Sequence, residues 1–163
     1  MNILKFFKLQ TAYAHCDIPC GIYDPHGAQM AAHTVIRMNQ LLSEVDRTDE
    51  TKAEHDIARM THVKEEHGHI VEDELGTLEN DYFKEEHYKT YPQLKELLAK
   101  GVKLSVSTRQ HIDMEAAKEL LETTMKIAEI FYKSKGLESA RVKAPYPTGL
   151  EIVVPASPRG EQK

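Results

Sequence analysis

The stretch DMEAAKELLETTMKIAEIFYK, residues 113–133, decides the fold class. Ala116, Ala117, Leu120, Leu121, Thr124, Ile127, Ala128 and Phe131 recur three and four positions apart, the spacing that gathers side chains on one face of an α-helix. Gly136 stands where such a helix would end. Moving toward the N-terminus, the same period returns three times. Leu94, Leu97, Leu98 and Leu104 predict a helix with Pro92 in its first turn, weakened a little by Gly101. Ile57, Met60, Val63, Ile70, Val71, Leu75 and Leu78 predict one over about 50–78, and His67 falls in the gap of that stripe, so it should face inward. Ala28, Ala32, Val35, Met38, Leu42 and Val45 predict one over about 25–45. Residues 43–50 read as a loop, and NDYFKEEHYKTY, residues 80–91, as a packed connection with four aromatics and no clean period. Four amphipathic helices with short connections imply an all-α chain folded as an antiparallel four-helix bundle.

Composition agrees with one domain. The chain has 163 residues, 40% hydrophobic and 29% charged, and that length can bury a real core. A formal charge of −5 with no basic block argues against a nucleic-acid partner, because nothing would neutralise phosphates. No apolar run approaches the roughly 18 residues of a membrane span. From about Ser139 onward Pro145, Pro147, Pro155 and Pro158 crowd the sequence. GLEIVV within it could be a strand but has no obvious partner, so residues 137–163 read as an extended or disordered tail, with a neighbouring subunit as a surface to pack on.

Both cysteines lie in AHCDIPCGIYDP, residues 14–25, with a histidine directly before the first. Gly21 removes bulk and Pro19 breaks any helix, so the segment can fold back as a small hook. A disulfide across so short a loop would stabilise little. A structural zinc site wants four side-chain ligands where three are offered. Neither C-x-x-C-H nor C-x-x-C is present for haem attachment or thioredoxin-like chemistry. Two buried, inert cysteines are the bland reading, and the clustering with His15 weighs against it.

The first fourteen residues, MNILKFFKLQTAYA, carry Lys5 and Lys8, no acid, and a small-residue Ala12-Tyr13-Ala14 ending. They read either as a processed leader or as an attached helical turn; as a secretory signal they are too short and too broken by lysine. If the chain is cut after Ala14, His15 supplies a free amine and an imidazole, Cys16 a backbone nitrogen and a thiolate, and Cys20 a second thiolate. Amine, amide nitrogen and two sulfurs can share a plane, which suits Ni(II) or Cu(II) rather than tetrahedral zinc. Cleavage would then create the site.

HCDIPCGIYDP, unbroken from His15 to Pro25, closely resembles the nickel-binding hook of the nickel superoxide dismutases. DYFK with a following histidine and then YPQL, Asp81 to Leu94, is similar to a second segment of that family. The resemblance covers roughly residues 15–136. It implies a leader at 1–14, a hook at 15–25, a four-helix bundle at 26–136 and a homohexamer, with the tail 137–163 outside the family core. It implies one nickel ion per subunit, held by His15, Cys16 and Cys20, with superoxide as substrate and nickel alternating between Ni(II) and Ni(III). It places Asp17, Pro19, Tyr23 and Tyr82 around the metal, with the Ile18–Pro19 bond cis. Tyr23 is then the hydroxyl that gates access and orders water, although it could equally pack the hook on the bundle. Where some members place a glutamate and an arginine around the axial imidazole, this chain has Ala31 and His67; His67 either substitutes or is a locally bonded core histidine. Lys64, Lys84 and Lys89 are candidates for steering the anionic substrate.

The resemblance also implies a leader peptidase, a possible nickel chaperone and a cytoplasmic setting, with no membrane or nucleic-acid partner. His26, His33, His55, His62, His69, His87 and His111 are scattered and read as non-ligands. Two rival classes are a nickel or copper carrier without catalysis, and a helical oligomerisation module with incidental cysteines. A carrier would not need Tyr23 or the DYFK segment, and a module would not need the leader junction.

Overall fold

A computed structural model of the chain describes residues 20–156. It is mostly helical. The elements run α1 (His26–Ser43), α2 (Glu50–Thr77), a π-helical turn (Leu78–Tyr82), α3 (Glu85–Thr90), α4 (Leu94–Gln110), α5 (Met114–Ser134), β1 (Ser139–Lys143) and β2 (Glu151–Pro155). The helix boundaries follow local chemistry. Asp24 Oδ1 accepts the His26 N–H at 2.7 Å, just ahead of Pro25, which has no N–H to satisfy. Asp49 caps α2 by accepting from Lys52 N, and Asp113 caps α5 by accepting from the N–H groups of Glu115 and Ala116, each at 3.0 Å. Gly136, at φ +71°, lets the chain reverse after α5. The Leu137 N–H then reaches the Tyr132 carbonyl (2.9 Å) and the Gly136 N–H the Lys133 carbonyl (3.0 Å), satisfying two of the helix's last acceptors.

The four long helices pack in the cyclic order α1, α2, α4, α5, each against its two neighbours in the ring. The core they enclose holds Ala28, Ala31, Ala32, Val35 and Ile36 from α1 and Val71 and Leu75 from α2. Leu94 and Leu98 join from α4, with Leu120, Leu121, Ile127, Ala128 and Phe131 from α5. Burying each larger side chain contributes about 1.5–3 kcal/mol. Gly101, a weak helix former read as a flaw, has a packing reason: a β-carbon there would stand 2.5 Å from Leu75 Cδ1, so its absence lets α4 approach α2 closely. At the far end of the same pair, buried Lys64 donates to the carbonyls of Thr108, Arg109 and His111, closing the C-terminus of α4.

The C-terminal region corrects the sequence reading. GLEIVV does have a partner: β2 pairs antiparallel with β1, Arg141 opposite Val153 and Val142 opposite Ile152. SARVK escaped notice because its only apolar residues, Ala140 and Val142, make too short an alternation to signal a strand. Its Arg141 instead forms ion pairs with Glu122 (2.8 Å) and Glu129 (2.7 Å) on α5. The hairpin packs on α1 and α5 of its own chain, with Ile152 and Val153 buried. The buried Gln29 amide binds both backbone groups of Val153, donating to its carbonyl (3.0 Å) and accepting its N–H (2.7 Å). Residues 139–155 are therefore extended, as one of the two readings had it, but paired as a clasp on their own chain; residues 157–163 lie outside the described residues. The 80–91 connection also contains more regular structure than expected, namely the π turn that prolongs α2 and the six-residue α3.

Candidate metal centre

The described part of the hook is Cys20 to Pro25. The leader Met1–Ala14, His15, Cys16, Asp17 and the Ile18–Pro19 bond lie outside the described residues. Cys20 is exposed, Gly21 adopts φ +70°, and Ile22 is 79% exposed, so the chain leaves the helices immediately before α1. Tyr23 turns back. Its ring meets Tyr82 at a centroid distance of 5.7 Å and packs against the helical core. The hook's exit is thus pinned two ways: by Tyr23 on Tyr82 and by Asp24, which caps α1 and lies 3.5 Å from the Tyr132 hydroxyl. Burial chiefly, reinforced by the Asp24 charge, pushes the Tyr132 phenol up to about 12, so it remains a protonated donor.

Tyr82 is the hub of this corner. Its ring packs on Phe131 (4.6 Å), Phe83 (5.0 Å) and His87 (5.4 Å, stacked), and Lys135 Nζ sits 5.0 Å above its centroid. The π turn explains how: the extra residue per turn re-aims Tyr82 and Phe83 at the end of α5, and Phe83 N–H bonds the Leu78 carbonyl at 2.8 Å.

Tyr23 and Tyr82 are therefore brought together as expected. His67 is not brought to them. Its Nδ1 lies 2.9 Å from the Val63 carbonyl and must carry the proton. It precedes the π turn by ten residues of α-helix, a rise of about 15 Å. His67 is thus bonded to its own helix and Ala31 is buried in the core, while His15, which the other reading of His67 requires, lies outside the described residues. Among the lysines, Lys64 is buried and committed to three carbonyls, Lys89 pairs with Glu85 at 2.7 Å, and Lys84 is exposed with a long contact to the Asn80 carbonyl. Lys135 stands nearest the tyrosine pair. It escaped the sequence reading because it sits beyond the last apolar position of α5; the signal was its place next to Gly136, at the helix end.

Among the described residues no three His, Cys, Asp or Glu side chains converge to hold a metal ion. The donors that fit nickel are those of the hook. Two thiolates and nitrogen donors suit a soft, planar-coordinating ion, and the exposed Cys20 leaves its sulfur accessible to such an ion.

A family model, nickel-containing superoxide dismutase, matches residues 10–135. This chain belongs to that family. The superoxide dismutase [Ni] of Streptomyces seoulensis is 31% identical over 122 residues, covering 75% of this chain and 88% of that protein. That of Streptomyces coelicolor is 30% identical over 125 residues, covering 77% and 91%. Among solved structures, a crystal structure of Ni-containing superoxide dismutase with oxidized-state nickel ligation matches with TM-score 0.68 at 30% identity, covering 75% of this chain and 99% of that one. A native nickel superoxide dismutase structure matches with TM-score 0.67 at 28% identity, with the same coverage. The family match ends at residue 135, so the β1–β2 clasp lies beyond it.

Proposed function

We propose that this protein is a nickel-dependent superoxide dismutase, converting two superoxide ions and two protons to dioxygen and hydrogen peroxide. The observation that carries the reading beyond family membership is the docking of Tyr23 on Tyr82, which roots the hook on the helices with Cys20 exposed beside it. A carrier that only captures metal has no need of that anchored aromatic corner.

His15, Cys16 and Cys20 would hold the metal: the amine and ring of His15, the backbone nitrogen and sulfur of Cys16, and the sulfur of Cys20. Nickel supplies one-electron exchange between Ni(II) and Ni(III), which thiolate and amide donors favour by giving charge to the ion. The protein's own residues do the rest. Tyr23, held by Tyr82, narrows the approach to the hook and offers a hydroxyl that orders water and passes protons to the reduced oxygen species. Asp17 and Pro19 shape the hook between its two sulfurs. Lys135 sets a positive charge beside the tyrosines in a chain of net charge −5, drawing the anion toward an otherwise repelling surface.

In this reading residues 1–14 are a leader whose removal creates the His15 amine. Residues 15–25 are the hook, and the four long helices form an antiparallel four-helix bundle that assembles as a homohexamer. A leader peptidase and a nickel chaperone serve its maturation in the cytoplasm. No helix among the described residues is long and apolar enough to cross a membrane.

The test combines processing with ligation. Protein of intact mass beginning at His15 should carry one nickel per chain and dismutate superoxide. Cys16→Ser and Cys20→Ser should each lose nickel and activity while keeping helical circular dichroism, because Cys20 lies outside every helix. Full activity in an uncut chain, or in either variant, would refute the ligand set.

A further inference from the structure

We propose that Ser134 is a positioning residue for the dismutation site, acting through Tyr82 on Tyr23. It rests on the dismutase reading for its catalytic consequence, and on geometry alone for its structural one. Ser134 is the last residue of α5. Its Oγ lies 2.7 Å from the Phe131 carbonyl and 2.7 Å from the Tyr82 hydroxyl. A serine hydroxyl has one proton, and a carbonyl can only accept it. The Ser134 proton therefore goes to Phe131, and Tyr82 donates its own proton to Ser134. The result is a directed chain, Tyr82 to Ser134 to the α5 backbone.

This chain settles two things about Tyr82. Its hydroxyl proton is committed to Ser134 on α5, so Tyr82 serves as a platform and leaves the proton-handling role to the Tyr23 hydroxyl. The Tyr82 ring is also held against sliding. Phe131, Phe83, His87 and Lys135 bear on the ring, but aromatic and cation contacts tolerate sliding, whereas a hydrogen bond at the ring's tip does not. The half-buried Tyr23 rests on the remaining surface, so a slip of Tyr82 passes directly to the segment that follows Cys20. The end of α5 thus works as an anchor plate for the hook: Tyr132 reaches Asp24, Ser134 holds Tyr82, and Lys135 covers the Tyr82 ring.

The experiment compares wild type, Ser134→Ala and Ser134→Thr as processed full-length chains, nickel-loaded and nickel-stripped. Hydrogen exchange of the peptide spanning residues 20–24 should quicken about fivefold in Ser134→Ala, the equivalent of one hydrogen bond, in both metal states. Exchange in α1 and α2 should stay at the wild-type rate. Nickel content should hold while kcat falls severalfold, and Ser134→Thr, which keeps the hydroxyl, should restore both readouts. Unchanged exchange at residues 20–24 overturns the proposal, as does quickening spread evenly over all helices or failure of the threonine to rescue. If wild type neither holds nickel nor dismutates yet Ser134→Ala still quickens that segment, the dismutase reading fails and the anchoring by Ser134 stands.

Discussion

Gln29 should be a costly polar side chain to remove. Its amide makes two hydrogen bonds to Val153, whose residue is 0% exposed, so neither of the two backbone groups has water as a substitute. Gln29→Leu keeps the volume roughly constant and removes both partners at once. An orphaned buried donor or acceptor costs about 1–3 kcal/mol, so two cost about 2–6, and some relaxation of a surface hairpin favours the lower half, about 3 kcal/mol. For a chain of this length each kcal/mol lowers Tm by about 2–4 °C, which makes the expected drop about 6–12 °C. Thermal and urea unfolding followed by circular dichroism would measure it, with hydrogen exchange locating the loss in β2. A Tm within about 2 °C of wild type, with β2 exchange unchanged, would refute the claim that this amide holds the clasp to α1.

Two further outcomes follow from the same geometry. Burial pushes the His33 pKa below its usual 6.5, outweighing the opposing bond to the Glu151 carbonyl, so the folded state resists a proton that the unfolded chain accepts. Stability should therefore be full above pH 6.5 and decline as pH falls from there toward the depressed value. His33→Gln should flatten that decline in urea titrations between pH 7.5 and 5.5, and an unchanged slope would count against it. Lys135→Met keeps the aliphatic stem over Tyr82 but loses the charge; superoxide decay should slow about two- to threefold at low salt and lose much of its salt dependence, whereas an identical salt profile would exclude Lys135 from steering.

The long helices were readable from spacing because each carries an apolar stripe, and the ends expected for α1, α2 and α5 differ from the observed ones by a few residues at most. The clasp was not, since β1 is held by ion pairs from Arg141 to α5 and β2 by a glutamine 124 residues away, pairings no local pattern encodes. The same applies to the metal corner. Tyr23 and Tyr82 could be named from the motifs, but Ser134 and Lys135 act through the direction in which α5 ends, a property of packing. Lys64 shows the converse error: its charge suggested an exposed role, and its burial on three carbonyls is visible only in three dimensions.

The span of the Gln29–Val153 contact carries a consequence for how the chain is made. Synthesis runs from the N-terminus at about 5–20 residues per second, so Gln29 waits about 6–25 s before Val153 exists. During that interval α1 presents an unsatisfied amide, and His33 lacks the Thr148 hydroxyl and Glu151 carbonyl that later receive it. The helix that follows the hook is completed by a residue translated 124 positions later. A chain released before the hairpin would leave Gln29 and His33 without these partners, so α1 gains its brace only once the clasp itself has been made.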